Sequence, residues 1–338
     1  MIPQEKCAAV SLGLREAFGV TEFEDVRKMT KGLSSAQVFR IVARGAPYLL
    51  RISTRTDAMY DQRRPFANMK QAAEAGLAPK VWYTSVEDRI CITDFVEEVP
   101  LPATEALFWI PGVLRKLHAL PKFSEALNYI TVDKSIQRFR AASFFPKGEM
   151  EEIFSRYERL IAVYPKIEED MVCCHNDLKP ENILFDGERV WLIDWEASFA
   201  NDRYYDLAIV ANFLVRSEAE ETVFLHAYLG KPADEVERAR LFLMRQVMHV
   251  LYAAFFSLFG ASDKKVEEKL PSFQDFHRRI WAGEVDLSAS GMKTIYARVH
   301  WEQLLENMWQ SRFQESLEIV AERYAGADRL LPEAVQKL

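Results

Sequence analysis

The chain has little of what builds secreted, membrane-spanning or nucleic-acid-binding proteins. Only four of its 338 residues are cysteine (Cys7, Cys91, Cys173 and Cys174), and no Cys-x-x-Cys occurs. That argues against a disulfide framework or a cysteine-rich metal site, and for reduced thiols in a cytosolic protein. The longest apolar run, Val247 to Phe259, is interrupted by His249 and is too short to span a bilayer. The first twenty residues carry Glu5, Lys6, Arg15 and Glu16 and no apolar core of a signal peptide, so a cytoplasmic location is expected. The net charge is −7, which leaves no overall basic field to attract nucleic acid. Internal repeats and low-complexity stretches are also missing. What remains is 49% hydrophobic and 28% charged, the profile of a soluble globular protein long enough to bury a core unaided.

Two kinds of patterning divide the chain. Residues 4 to 18 are expected to be helical. Phe23 to Thr30, Val38 to Ala43, Tyr48 to Ile52, Val81 to Thr84 and Arg89 to Phe95 are strand-like runs. Arg44-Gly45-Ala46-Pro47 signals a hairpin, and Lys31-Gly32-Leu33-Ser34-Ser35 a turn. A helix is expected over about residues 66 to 75, ending at Gly76. After the connector Val96 to Pro100 the pattern becomes helical, with helices expected over Leu107 to Leu120, Met150 to Tyr164 and Val236 to Phe259. Trp301, Leu304, Leu305, Met308 and Trp309 share one helix face. The expectation is an α+β chain, with a small antiparallel sheet-rich lobe over residues 1–96 and a larger helical lobe over 97–338.

The strand-like interruption of the helical part, Met171 to Leu192, carries chemistry. His175, Asp177 and Asn182 match H-x-D-x-x-x-x-N, which supplies a carboxylate and a metal-ligating amide from one loop. Ile183-Leu184-Phe185, a turn at Asp186 to Arg189, and Val190 to Ile193 then read as a hairpin that returns Asp194 toward Asn182. A carboxylate beside an acceptor hydroxyl, with hard oxygen ligands for magnesium, is what phosphoryl transfer asks of a protein.

Cys174-His175-Asn176-Asp177-Leu178 with Asn182, followed by Leu192-Ile193-Asp194-Trp195-Glu196, resembles the aminoglycoside phosphotransferase and choline/ethanolamine kinase superfamily. The Ile-Asp-Trp-Glu form is closest to the choline/ethanolamine kinase branch. Leu117-His118-Ala119-Leu120 and Tyr205-Asp206-Leu207-Ala208 resemble two further family segments. The resemblance implies a protein-kinase-like two-lobed fold and an ATP- and Mg2+-dependent transfer to a hydroxyl of a small molecule, an amino alcohol such as choline or ethanolamine. An aminoglycoside, thiamine or a sugar is the alternative acceptor. A protein kinase and a non-catalytic nucleotide-binding scaffold are further alternatives, although no G-x-G-x-x-G, V-A-I-K, D-F-G or A-P-E occurs.

The same resemblance assigns expected roles. Asp177 accepts or orients the hydroxyl proton, His175 braces the loop, and Asn182 and Asp194 hold the metal. Asp206 caps a helix and stiffens the catalytic loop. Gly32, Ser34 and Ser35 cradle phosphate, and Arg51, in Leu49-Leu50-Arg51, holds the phosphates in place of the usual lysine. Adenine is expected against the connector near Asp94 to Val96. The helix glutamate that would pair with this basic residue is missing near Arg64-Pro65-Phe66, with Asp61 and Glu74 as the nearest substitutes. On the acceptor side the candidates are Trp195, Glu196, Arg245, His249 and Tyr252. Arg245 suits an anionic acceptor better than a quaternary ammonium, or is a partner for Glu196.

Overall fold

A computed structural model describes residues 2–29, 36–54, 61–127, 129–261 and 270–328. The chain divides into two compact units, Met1–Leu101 with Glu181–Ser198, and Pro102–Pro180 with Phe199–Leu338.

The first unit is a five-stranded antiparallel sheet, built from β1 (Asp25–Met29), β2 (Gln37–Ala43), β3 (Ala46–Ile52), β4 (Val81–Ser85) and β5 (Ile90–Asp94), in the order β1-β2-β3-β5-β4. The β2–β3 turn is tighter than the sequence pattern suggests. Only Arg44 and Gly45 turn, both with positive φ (51° and 73°), and Ala46 already pairs with Ala43. Two left-handed residues give the backbone twist that suits a two-residue hairpin. Side chains alternate across the sheet. Phe39, Ile41, Leu50, Ile52, Ile90 and Ile92 are buried beneath Val10, Leu14 and Phe18 of α1 (Cys7–Phe18). Arg51, between Leu50 and Ile52, is thereby turned to the opposite face. Helix α2 (Arg63–Glu74) begins three residues earlier than expected. The hairpin β7 (Ile183–Phe185) and β8 (Val190–Leu192) belongs to this unit, with the Leu192 N–H donating to the Leu77 carbonyl at 2.8 Å. Its turn is held by Asp186, which accepts from the Glu188 and Arg189 N–H groups.

The second unit contains α3 (Ala103–Leu117), α4 (Tyr129–Ala142) and α5 (Lys147–Val163). The short strands β6 (Met171–Cys174) and β9 (Phe199–Asp202) pair antiparallel. Six helices follow: α6 (Arg203–Leu214), α7 (Glu218–Leu229), α8 (Glu235–Phe259), α9 (Phe273–Trp281), α10 (Met292–Trp309) and α11 (Ser311–Arg323). Helix α8 starts with a capping box, Asp234 accepting from the Glu237 N–H and Glu237 returning the bond. It is apolar enough over its 25 residues to cross a membrane, yet 72% of its most apolar window is buried inside the protein. The run judged too short from sequence is thus part of a longer core helix, wrapped by α4, α6, α10 and α11. On α10, Trp301, Leu304 and Met308 are buried as the periodicity requires, while Trp309 at the helix end is exposed and covered by the Arg156 guanidinium.

Leu50 is fully buried on the strand that carries Arg51. Leu50→Ala is expected to cost about 2–5 kcal/mol, read as a lower urea midpoint for the protein.

Candidate active site

In the first unit, the far face of the sheet gathers three charged groups. The Arg51 Nη2 donates to Asp194 Oδ1 at 3.0 Å and to Glu196 Oε1 at 2.7 Å. Asp194 has φ 63° and ψ 68°, left-handed backbone that a non-glycine residue adopts at some cost, and it opens the 3₁₀ turn Trp195–Ala197. That turn is fastened from both ends. Buried Trp195 donates its indole N–H to the Leu192 carbonyl, and Ser198 donates both N–H and hydroxyl to the Trp195 carbonyl. Helix α2 contributes donors: Arg64 Nη2 reaches the Glu196 carbonyl at 2.7 Å, and Asn68 bonds both the Ser198 carbonyl and its hydroxyl. The basic residue therefore finds its carboxylate on the turn after the hairpin and not on the helix. Asp61 pairs with Arg63, and Glu74 is exposed. Glu196, expected as an acceptor residue or a partner for Arg245, is the partner of Arg51. Opposite Arg51 in the sheet, burial pushes the Cys91 thiol up to about 11, so it stays protonated.

Asn182 is buried, and its carbonyl accepts the Ile193 N–H at 3.0 Å. With Ile183 paired to Leu192, this bond brings the Asn182 and Asp194 backbones to the same end of the hairpin. An amide and a carboxylate are hard oxygen donors that suit magnesium.

In the second unit, the His175-Asn176-Asp177 loop hangs on one carboxylate. Asp206, with no exposed surface, accepts the His175 N–H at 2.8 Å and the Asn176 N–H at 2.7 Å. His118 Nε2 lies 3.2 Å from the same carboxylate, and Tyr228 OH is 2.8 Å from His118 Nδ1. Nε2 thus donates to the Asp206 carboxylate, and the tyrosine hydroxyl holds the other ring nitrogen. Capping of α6 falls to Asp202, whose side chain accepts the Tyr204 N–H, so Asp206 stiffens the loop without capping the helix. Asn176 is held at φ 63°, and its side-chain oxygen accepts from Asn201. His175 is fully buried and its Nδ1 accepts the Asp177 N–H at 3.3 Å, a bracing contact. Asp177 is partly exposed and lies 3.1 Å from Lys179 Nζ. His118, Cys174 and Asp206 also approach one another as a metal site would, but burial holds the thiol pKa well above its ordinary value, and both Asp206 oxygens already accept backbone N–H groups. The trio is a hydrogen-bonded brace.

A model of the phosphotransferase enzyme family, APH, matches residues 25–242. The chain belongs to that family. Protein LicA of Haemophilus influenzae is 27% identical over 234 residues, covering 62% of this chain and 66% of that protein, just under two thirds of its length. A choline/ethanolamine kinase family protein from Mesorhizobium loti superposes with a TM-score of 0.69 at 19% identity, over 93% of this chain and 98% of that one. A spectinomycin phosphotransferase in complex with ADP and spectinomycin does so at 0.58 and 13%, over 92% and 96%. These likenesses carry the kinase-like α+β fold.

In this phosphotransferase the remaining expected site residues fall in different places. Gly32, Ser34 and Ser35 lie outside the described residues. Arg245, His249 and Tyr252 share a stripe of α8 on which His249 is buried and the other two are half-buried. His249 is fully buried, with its Nδ1 3.0 Å from that of His300, and Tyr252 stacks on His300 at 4.8 Å between centroids. His277 stands 5.2 Å from His300, donates to the Phe273 carbonyl and receives the Tyr296 hydroxyl. Arg245 donates to Asn212 Oδ1 and the Val215 carbonyl. The helical spacing showed this stripe but not its partners on α9 and α10, which come from far along the chain. Sequence reading also missed Arg64 and Asn68, and the only available signal was a polar patch on an amphipathic helix.

Burial lowers the pKa of all three histidines, that of His277 to about 3. The unfolded chain therefore binds more protons than the folded one. The stability these groups contribute is fully present above the ordinary histidine pKa and is lost as the pH falls. Urea unfolding below about pH 6 should show stability dropping by about 1.4 kcal/mol per pH unit for each histidine, and His277→Phe should flatten the slope.

Proposed function

We propose that this phosphotransferase moves the γ-phosphoryl group of ATP to a hydroxyl of a small molecule, an amino alcohol such as choline or ethanolamine. The observation that carries the reading is the pairing of Arg51 with Asp194 and Glu196 on a fastened turn, beside Asn182. The choline/ethanolamine kinase family description of the Mesorhizobium loti protein supports the acceptor class, and the ADP complex of the spectinomycin enzyme supports a nucleotide donor. Asn182 and Asp194 would hold Mg2+, which when bound neutralises charge on the phosphates. Arg51, always protonated and able to fork across two oxygens, would leave its carboxylates to hold the phosphates. Glu196 would keep that guanidinium aimed in the meantime. Gly32, Ser34 and Ser35 would cover the phosphates by their backbone N–H groups.

Asp177 would accept the hydroxyl proton as the phosphorus–oxygen bond forms, with His175 and Asp206 fixing its backbone. Lys179 Nζ forms an ion pair with Asp177 at 3.1 Å, which holds that carboxylate in place. A negative protein with no basic field matches a cytoplasmic metabolic enzyme with small-molecule partners and no nucleic acid.

Asp177→Ala is expected to lower kcat about 10²- to 10⁴-fold in a magnesium ATP assay with a panel of amino alcohols, at unchanged Tm. Equal turnover by mutant and wild type would refute the base. Glu196→Gln should raise the KM for ATP about tenfold, near 1.4 kcal/mol of lost positioning, with a smaller change in kcat.

A further inference from the structure

At the far end of α6 the second unit holds a cavity of about 590 Å³. Its wall is formed by the chain leaving α6, the first residues of α7, α9 and α11, and one side chain each from the middle of α8 and of α10. Three arginines line it: Arg216, Arg245 and Arg312. Two carboxylates do as well, Glu218 and Glu221, and they are not equivalent. Glu221 is 2% exposed and is held by Arg312 at 2.6 Å, with Arg238 at 3.9 Å. Glu218 is exposed at the rim.

Arg245 is the unbalanced charge. Its Nε and Nη2 donate to two neutral oxygens, Asn212 Oδ1 at 2.8 Å and the Val215 carbonyl at 3.3 Å. Among the described residues no carboxylate lies within ion-pair distance of it. Burial lowers its pKa to about 10; the Glu221 carboxylate acts against this and the neighbouring Arg312 adds to it. A half-buried guanidinium that donates to neutral oxygens, and whose opposing carboxylate Glu221 is ion-paired to Arg312, is incompletely balanced, and beside an open cavity it has a place for an anion. The cavity supplies further donors. Helix α11 begins at Ser311 with no side chain capping its first N–H groups, and both Ser311 and Arg312 line the space. Gln274 and Gln303 line it too, their amide N–H groups donating to the Arg216 carbonyl and to Glu306 and Asn307.

We propose that this cavity binds a small oxyanion, a phosphate or phosphate monoester, with Arg245 as its charge partner. Arginine forks across two oxygens of such a group, and the volume exceeds that of a bare ion, leaving room for a short polar organic portion. The site is separate from the phosphoryl-transfer loop. Asp206, which holds that loop, sits in the first turn of α6, and Val215 of the cavity wall follows its last turn. Nine residues of helical rise put about 14 Å between them. The inference therefore stands on its own and does not rest on the identity of the phosphoryl acceptor.

Isothermal titration of the full chain with inorganic phosphate, and separately with glycerol phosphate, tests it without any turnover. At least one of the two should bind saturably, and the tighter one names the source of the oxyanion. Arg245→Met should weaken binding about tenfold or more, near 1.4 kcal/mol. Glu218→Gln, at the exposed rim, should strengthen it severalfold and is safe for folding. Arg51→Met should leave it unchanged, which separates this site from the nucleotide end. Absence of saturable binding by both probes, or binding indifferent to both Arg245→Met and Glu218→Gln, would overturn the proposal.

Discussion

Everything in the His175-Asn176-Asp177 loop depends on a carboxylate that never meets solvent. Asp206 is buried, and what keeps it there is a set of donors: two consecutive backbone N–H groups and an imidazole that is itself held by a tyrosine. A buried acid arranged in this way is expensive to leave unsatisfied, so the loop is pinned in one conformation. Asn176 can then sit in left-handed backbone, because its own N–H and side chain are already taken up. Its neighbour Asp177 is left as the partly exposed acid.

The first unit solves a related problem by different means. Its basic residue is placed by strand alternation, and the carboxylates that answer it arrive on a 3₁₀ turn after a hairpin, strained at Asp194 and tied by Trp195, Ser198, Arg64 and Asn68. The polarity of α2 is inverted relative to what the family resemblance led one to expect. The helix gives donors, and the glutamate comes from the turn. Two anions on one guanidinium also keep Asp194 and Glu196 from repelling each other while no phosphate is bound.

How much of this was legible depended on how local the cause was. The motif residues His175, Asp177, Asn182 and Asp194 were readable because loop, strand, turn and strand follow one another without a gap. The strand Tyr48 to Ile52 was readable as well, and in the structure its alternation buries Leu50 and turns Arg51 to the other face. The partner of Arg51 was not readable, since no period or spacing relates residue 51 to residue 196. The α8 stripe was visible as a period, but whether it met solvent, substrate or other helices depended on His277, Tyr296 and His300, which arrive from two later helices. The role of Asp206 divided the same way. Its position at the start of a helix suggested a cap, and only the neighbouring Asp202 explains why it was free to serve the loop.

The hairpin that carries Asn182 and Asp194 is built with the sheet of the first unit although it follows residues 102–180 of the second. The chain therefore passes between the units at Leu101, at Pro180 and at Ser198, and no single cut yields two complete halves. A ribosome that has released residues 1–101 has made the five-stranded sheet but not the separate β7–β8 hairpin that completes the same unit. Those strands emerge only after three helices of the other unit, so the two units have to mature together rather than in turn.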